Sequence, residues 1–154
     1  MDAHAHSMDS SELNRTSVMA TTHCLTGCAL GEFTGMAIAT AFGWGNAPQI
    51  ALAVGLAFLF GFSLTSIPLV KAGLGAGVVI STALAVDALS ITIMEVIDNL
   101  VVLLWPGAID AGLGDPLFYG SIAIGFAVAY PFAFMANRYL IARGRGHALV
   151  HEYH

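Results

Sequence analysis

Two thiols, a carboxyl and a thioether recur at every fourth residue in the stretch Thr22-His23-Cys24-Leu25-Thr26-Gly27-Cys28-Ala29-Leu30-Gly31-Glu32-Phe33-Thr34-Gly35-Met36. On a helix that turns about 100° per residue, Cys24, Cys28, Glu32 and Met36 form one stripe, and Gly27, Gly31 and Gly35 form another roughly 80° round from it. Soft sulfur donors suit Cu(I), and a neighbouring imidazole such as His23 would also admit Zn(II). The expected chemistry is therefore capture of a transition-metal cation, Cu(I) first and another such ion second. The glycine stripe has the small-xxx-small pattern that lets membrane helices approach backbone to backbone. Its neighbour stripe should then line a seam between helices instead of facing lipid.

A second polar set lies on one later helix. Asp87, Met94 and Asp98 fall within roughly 40° of one another, with Glu95 roughly 60° beyond Asp98. Together with Glu32 these give four carboxyls inside apolar runs, each costing about 2.5–3.5 kcal/mol at the centre of a bilayer. Every lysine and arginine stands at a run's end. The acids are thus expected to be protonated, hydrated in a cavity, or neutralised by a bound cation. In the C-terminal stretch, His147, His151 and His154 are spaced i, i+4 and i+7, as a collector of metal could be.

The elements that must hold these groups follow from composition. Of 154 residues, 57% are hydrophobic and only 10% charged, with a mean hydropathy of +0.79, so the chain is expected to be an integral membrane protein. Four runs of about 20 or more mostly apolar residues can be drawn, at 18–43, 48–70, 78–105 and 117–141. The reading is all-α: a polar N-terminal tail over 1–16, a domain of four transmembrane helices over 17–143, and a histidine-containing tail over 144–154. Gly43 to Pro48 makes a tight first turn with Trp44 as an interfacial anchor, and a kink is expected at Tyr130-Pro131. Helix two reads as scaffold and lipid contact.

With four helices, Arg15, Lys71, Arg138, Arg143 and Arg145 all fall on one side of the membrane. The positive-inside rule makes that side cytoplasmic, with both termini, and places the Trp44 turn and the Asp110/Asp115 loop outside. The acidic N-terminal stretch lacks the basic region of a signal peptide. No basic footprint for nucleic acid is present, no phosphate-binding loop is read from Gly73, Gly75 and Gly77, and the chain is expected not to be an enzyme. Two cysteines four apart on one helix are no disulfide framework.

The motif Thr-His-Cys-Leu-Thr-Gly-Cys at 22–28, with Asn-Arg-Tyr-Leu-Ile-Ala-Arg-Gly-Arg-Gly-His at 137–147, resembles a family of small bacterial membrane proteins classed as a domain of unknown function. That resemblance spans roughly 20–152. It implies a compact multi-helix protein of the bacterial inner membrane and brings no activity with it. The His/Met-bearing N-terminus, glycine-striped helix and His-containing C-terminus are also similar to eukaryotic copper-uptake transporters. The chain departs from those in helix number and lacks their intramembrane Met-x-x-x-Met.

The residues lead to a small transporter or channel for a transition-metal cation, acting as a homo-oligomer in the bilayer. The sequence places Asp98 and Glu95 at an outer acidic entrance, Glu32 near mid-depth, and Cys28, Cys24 and His23 toward the cytoplasm. Its rivals are a thiol redox or metal-sensing protein using the two cysteines, a conductor of protons, and a structural subunit of a larger membrane complex.

Overall fold

The computed structural model describes residues 9–71, 73 and 75–142. They form four α-helices: α1, Ser10–Ala41; α2, Asn46–Lys71; α3, Ala76–Leu104; and α4, Pro116–Ala142. No strand occurs among the described residues. Helix α1 begins eight residues before the apolar run does, so much of the stretch read as an N-terminal tail is helical. Asp9 precedes it with extended backbone, its carbonyl accepting from Leu13 N at 2.9 Å, and Glu12 stands in the first turn. An acid there complements the positive end of the helix. Arg138 Nε of α4 donates to Asn14 Oδ1 at 2.8 Å, which ties the polar start of α1 into the bundle.

Each connection has a local cause. Gly43, Gly73 and Gly107 adopt positive φ, a backbone that side-chain-bearing residues avoid. Asp115 caps α4 by accepting Leu117 N at 2.9 Å, and Pro116, whose missing N–H costs nothing in the first turn, follows it. Helix α4 runs unbroken through the expected kink at Pro131.

The helices pass up, down, up and down. Gly27, Gly31 and Gly35 of α1 meet Gly61, Ala57 and Ala53 of α2 in antiparallel order. A Cβ added at Gly27 would stand 2.9 Å from Gly61 Cα, one at Gly31 2.5 Å from Ala57 Cα, and one at Gly35 2.6 Å from Ala53 Cα. The glycine stripe is therefore used inside the chain, against a matching stripe of small residues on α2. Helices α1 and α4 are also antiparallel, with Phe33 packed on Phe118 and Tyr119 at ring distances of 5.9 and 5.7 Å. Helices α1 and α3 run parallel and touch across the bundle.

The bundle is apolar outside and polar within. Leu59, Val70, Val96, Leu100, Leu104, Phe132 and Met135 are exposed, whereas Glu32, Asp87, Glu95 and Asp98 are buried. Three helices, α1, α2 over Asn46–Ile67, and α4, are long and apolar enough to cross a membrane. Helix α3 keeps its three acids on the inward face and turns leucine, isoleucine and valine outward. Arg15, Lys71 and Arg138 stand at one end of the bundle, and Trp44, Asp110 and Asp115 at the other.

Candidate functional site: a buried column of carboxyls and thiols

The core is built in layers along α1 and α3. At the end where α1 starts, Asn137 Nδ2 donates to Thr21 Oγ1 and to Ser90 Oγ, both at 3.1 Å, joining α4, α1 and α3 through one buried carboxamide. Thr21 and Ser17 return their own hydroxyl protons to carbonyls one turn back, at 2.7 Å each. Such back-bonding is how a hydroxyl sits inside a helix without an unmet donor.

Beside this group, Cys24 Sγ donates to Asp87 Oδ1 at 3.8 Å and also faces Ser90 and Asn137. Thr65 of α2 faces the same carboxyl. Neither Thr65 Oγ1 nor Asp87 Oδ2 makes a hydrogen bond, although both are buried. Next, Cys28 faces Glu95. Asn99 Nδ2 holds the Glu95 carboxyl at 3.4 Å and its backbone carbonyl at 2.8 Å, leaving Glu95 Oε1 without a partner. The last layer pairs Glu32 with Asp98, and Glu32 Oε2 and Asp98 Oδ1 are again unpartnered. From Asp87 to Asp98 the column rises about 16 Å at 1.5 Å per residue, half of a bilayer's apolar thickness of about 30 Å.

Gly125 of α4 makes room for that last layer. A Cβ there would collide with Asp98 Oδ1 and stand 2.8 Å from its Cγ. We expect Gly125→Ala to displace the Asp98 carboxyl and to lower stability by about 1–3 kcal/mol, the usual cost of overpacking a full core. Thermal unfolding in detergent checks it, with Gly120→Ala, where a Cβ meets nothing, as the control that should leave the midpoint in place.

Beyond Glu32 and Asp98 the column widens into a cavity of about 60 Å³, walled also by Met36, Asn46, Gln49 and Ser121. A water needs about 10–15 Å³ on this measure, so the cavity has room for a few. It lies at the Trp44 end, where Asn46 Nδ2 donates to Asp110 Oδ1 at 3.1 Å.

The sequence-predicted residues divide accordingly. Cys24, Cys28, Glu32, Asp87, Glu95 and Asp98 all enter the column, Met36 reaches the cavity, and Met94 is fully buried in the apolar core beside them. His23 does not join the thiols: its ring lies on the exposed side of α1, with Nδ1 2.9 Å from Met19 O. One residue on from Cys24, it is turned about 100° away. His147 and His151 lie outside the described residues. The pairing also differs from the expectation: Glu32, not Glu95, pairs with Asp98 toward the Trp44 end of the bundle, and Glu95 lies against Cys28. Missed in the sequence were Thr21, Ser90 and Asn137, whose spacing continues the buried faces, and Gly125. Among the described residues no group of three or more His, Cys, Asp or Glu side chains is placed to hold one metal ion. The sulfurs are instead offered singly, each beside a carboxyl.

Apolar helices packed around buried acids and thiols define, by fold and composition, a four-helix integral membrane protein. The chain belongs to the family described as a domain of unknown function (DUF4396), whose model matches residues 13–146. No curated protein and no solved structure matches it.

Proposed function

We propose that the protein moves a soft transition-metal cation, Cu(I) foremost, across the bacterial inner membrane along the column from the Glu32/Asp98 cavity to Cys24. The observation that carries this reading is that both thiols are buried and each faces a carboxyl, Cys28 toward Glu95 and Cys24 toward Asp87. Thiols alone would be inert packing. A thiol beside a carboxyl has a ready acceptor for its proton, so that binding of a cation and release of that proton are joined at one station. Cu(I) tolerates low coordination and needs no four-ligand cage, in keeping with sulfurs offered one turn apart. All four helices cross the bilayer in this reading, with both termini cytoplasmic.

Purified protein in liposomes tests it: Cu(I) should enter vesicles down its gradient, and protein-free vesicles should stay empty. The absence of Cu(I) entry at any protein density would end the proposal. A second reading is proton conduction, favoured by the unpartnered Glu32 Oε2, Asp98 Oδ1, Glu95 Oε1 and Asp87 Oδ2, which require bridging water if they are to be satisfied. Acidification of the same vesicles in metal-free buffer would favour it.

Orientation has its own test. A cysteine placed between Asp110 and Asp115 should react with an impermeant thiol reagent outside intact cells, and one placed after Arg143 should not. Cys24 and Cys28 are buried and contribute little background. The reverse pattern would invert the path.

A further inference from the structure

We infer that the turn between Gly107 and Gly112, in the connection from α3 to α4, is a hinged cap on the cavity, latched by the bond from Asn46 to Asp110, and that water and ions enter beneath it. As a cap on the cavity it stands by itself; as the gate of a transport path it rests on the reading above. Ala108 and Ile109 of this turn line the cavity, with Asn46 beside them at the start of α2. The flank between α2 and α3 is walled by Ile50, Val102 and Leu103, an apolar side on which Leu103 is exposed. An ion without partners is strongly disfavoured there, so a hydrated one comes past the turn. The opposite end of the column is fixed, since Asn137 joins three helices through two buried bonds.

The turn is built to move as one piece. Ala111 N–H donates to Ala108 O at 3.1 Å, which closes it on itself. Glycine brackets it: Gly107 has a φ of 80°, and a Cβ at Gly112 would meet nothing within 4 Å. Both can take up the changes in φ and ψ that a swing demands. Little apolar surface holds the turn down. Its buried side chains are Ala108 and Ala111, the smallest that carry a Cβ, and Ile109 is half-buried. Segments with few buried apolar contacts open at a small fraction of the global unfolding free energy. The latch is of matching strength. Asn46 Nδ2 donates to Asp110 Oδ1 at 3.1 Å, from the other connection at this end. That bond is exposed, so water replaces it at modest cost when it parts. Beyond Gly112, Tyr119 Oη donates to Leu113 O at 2.7 Å and keeps the α4 side in place.

The test uses the full chain purified in detergent, with Ser121→Cys as a reporter in the cavity wall and a small charged methanethiosulfonate as the probe. Mass spectrometry follows the labelling of each cysteine. Asp110→Ala removes the latch without altering the cavity wall, and should speed labelling at Ser121→Cys about fivefold, the shift that one lost hydrogen bond produces. Asp110→Asn, which keeps an acceptor, should change the rate by less than about twofold. Labelling of Cys24, at the far end of the column, should stay as it is in both variants. Bridging Asn46→Cys to Asp110→Cys with a bifunctional methanethiosulfonate should slow labelling at Ser121→Cys at least about tenfold, because only the open form reacts, and reductive cleavage of the bridge should restore it. An unchanged rate in Asp110→Ala or in the bridged chain overturns the inference. So does a matching rise at Cys24, the mark of general loosening. In liposomes the bridged chain should pass no Cu(I) until the bridge is cleaved, and Cu(I) entry through the bridged chain would overturn the gate. Labelling as expected with no Cu(I) entry in any state would remove the proposed transport and leave the cap standing.

Discussion

Changing Cys24 and Cys28 together to serine should weaken Cu(I) binding by about 100-fold or more, equivalent to about 2.7 kcal/mol, and should stop flux through the column. Serine is close to cysteine in volume, so the core stays filled. What is lost is the polarizable sulfur that distinguishes a soft ion from a hard one, and a hydroxyl does not ionise to replace it. Each single variant should keep part of the affinity, because Cys24 and Cys28 lie in successive layers beside different carboxyls. Glu32→Gln with Asp98→Asn should leave Cu(I) affinity largely intact and slow its entry, since those groups stand a turn or more outward of the thiols. Anaerobic titration against a competing Cu(I) chelator measures the first effect, and liposome flux the second. Unchanged affinity in the double-serine variant would take the thiols out of the path, and normal flux in the carboxamide variant would take out the entrance.

The largest effect on stability should come from Gly31→Leu. Gly31 lies at the middle of the seam between α1 and α2, where even a Cβ would press on the backbone of Ala57 and stand 2.9 Å from its side chain. Small-to-large changes in packed cores cost about 1–3 kcal/mol and sometimes more, and this one meets backbone, which yields less than a rotamer does. We expect a loss at or above the top of that range, seen as a lower unfolding midpoint in a denaturing-detergent titration. Leu30→Ala is the comparison. Leu30 has 47% of its surface exposed, so it trims a side chain that lipid would cover and should cost much less. Equal effects of the two changes would mean that the glycine stripe is not a packing seam.

The sequence by itself determined the helices and the inward face of two of them. Apolar runs long enough to cross a bilayer cannot leave backbone groups unpaired there, so helices follow from composition. Cys24, Cys28 and Glu32 share a stripe because they are four residues apart on a helix, and that stripe must be interior because a carboxyl in lipid is costly. The small-xxx-small signature marked a close seam for the same kind of local reason. Even the separation of basic and acidic ends was legible from the loops.

What only tertiary structure decided was register and partnership. Helical spacing places a side chain around its own axis, but says nothing of how far one helix has slid along another. That slide pairs Cys24 with Asp87, Cys28 with Glu95, and Glu32 with Asp98, where the sequence had set Glu95 and Asp98 together. Spacing alone does not say whether the glycine stripe meets a helix of this chain or of another, and Ala53, Ala57 and Gly61 of α2 supply the matching surface within this one. His23 adjoins Cys24 in sequence, yet a single helical step carries it to the outside. Gly125 and Asn137 acquire their roles wholly from what packs against them, the first by lacking a side chain opposite Asp98 and the second by reaching two other helices at once.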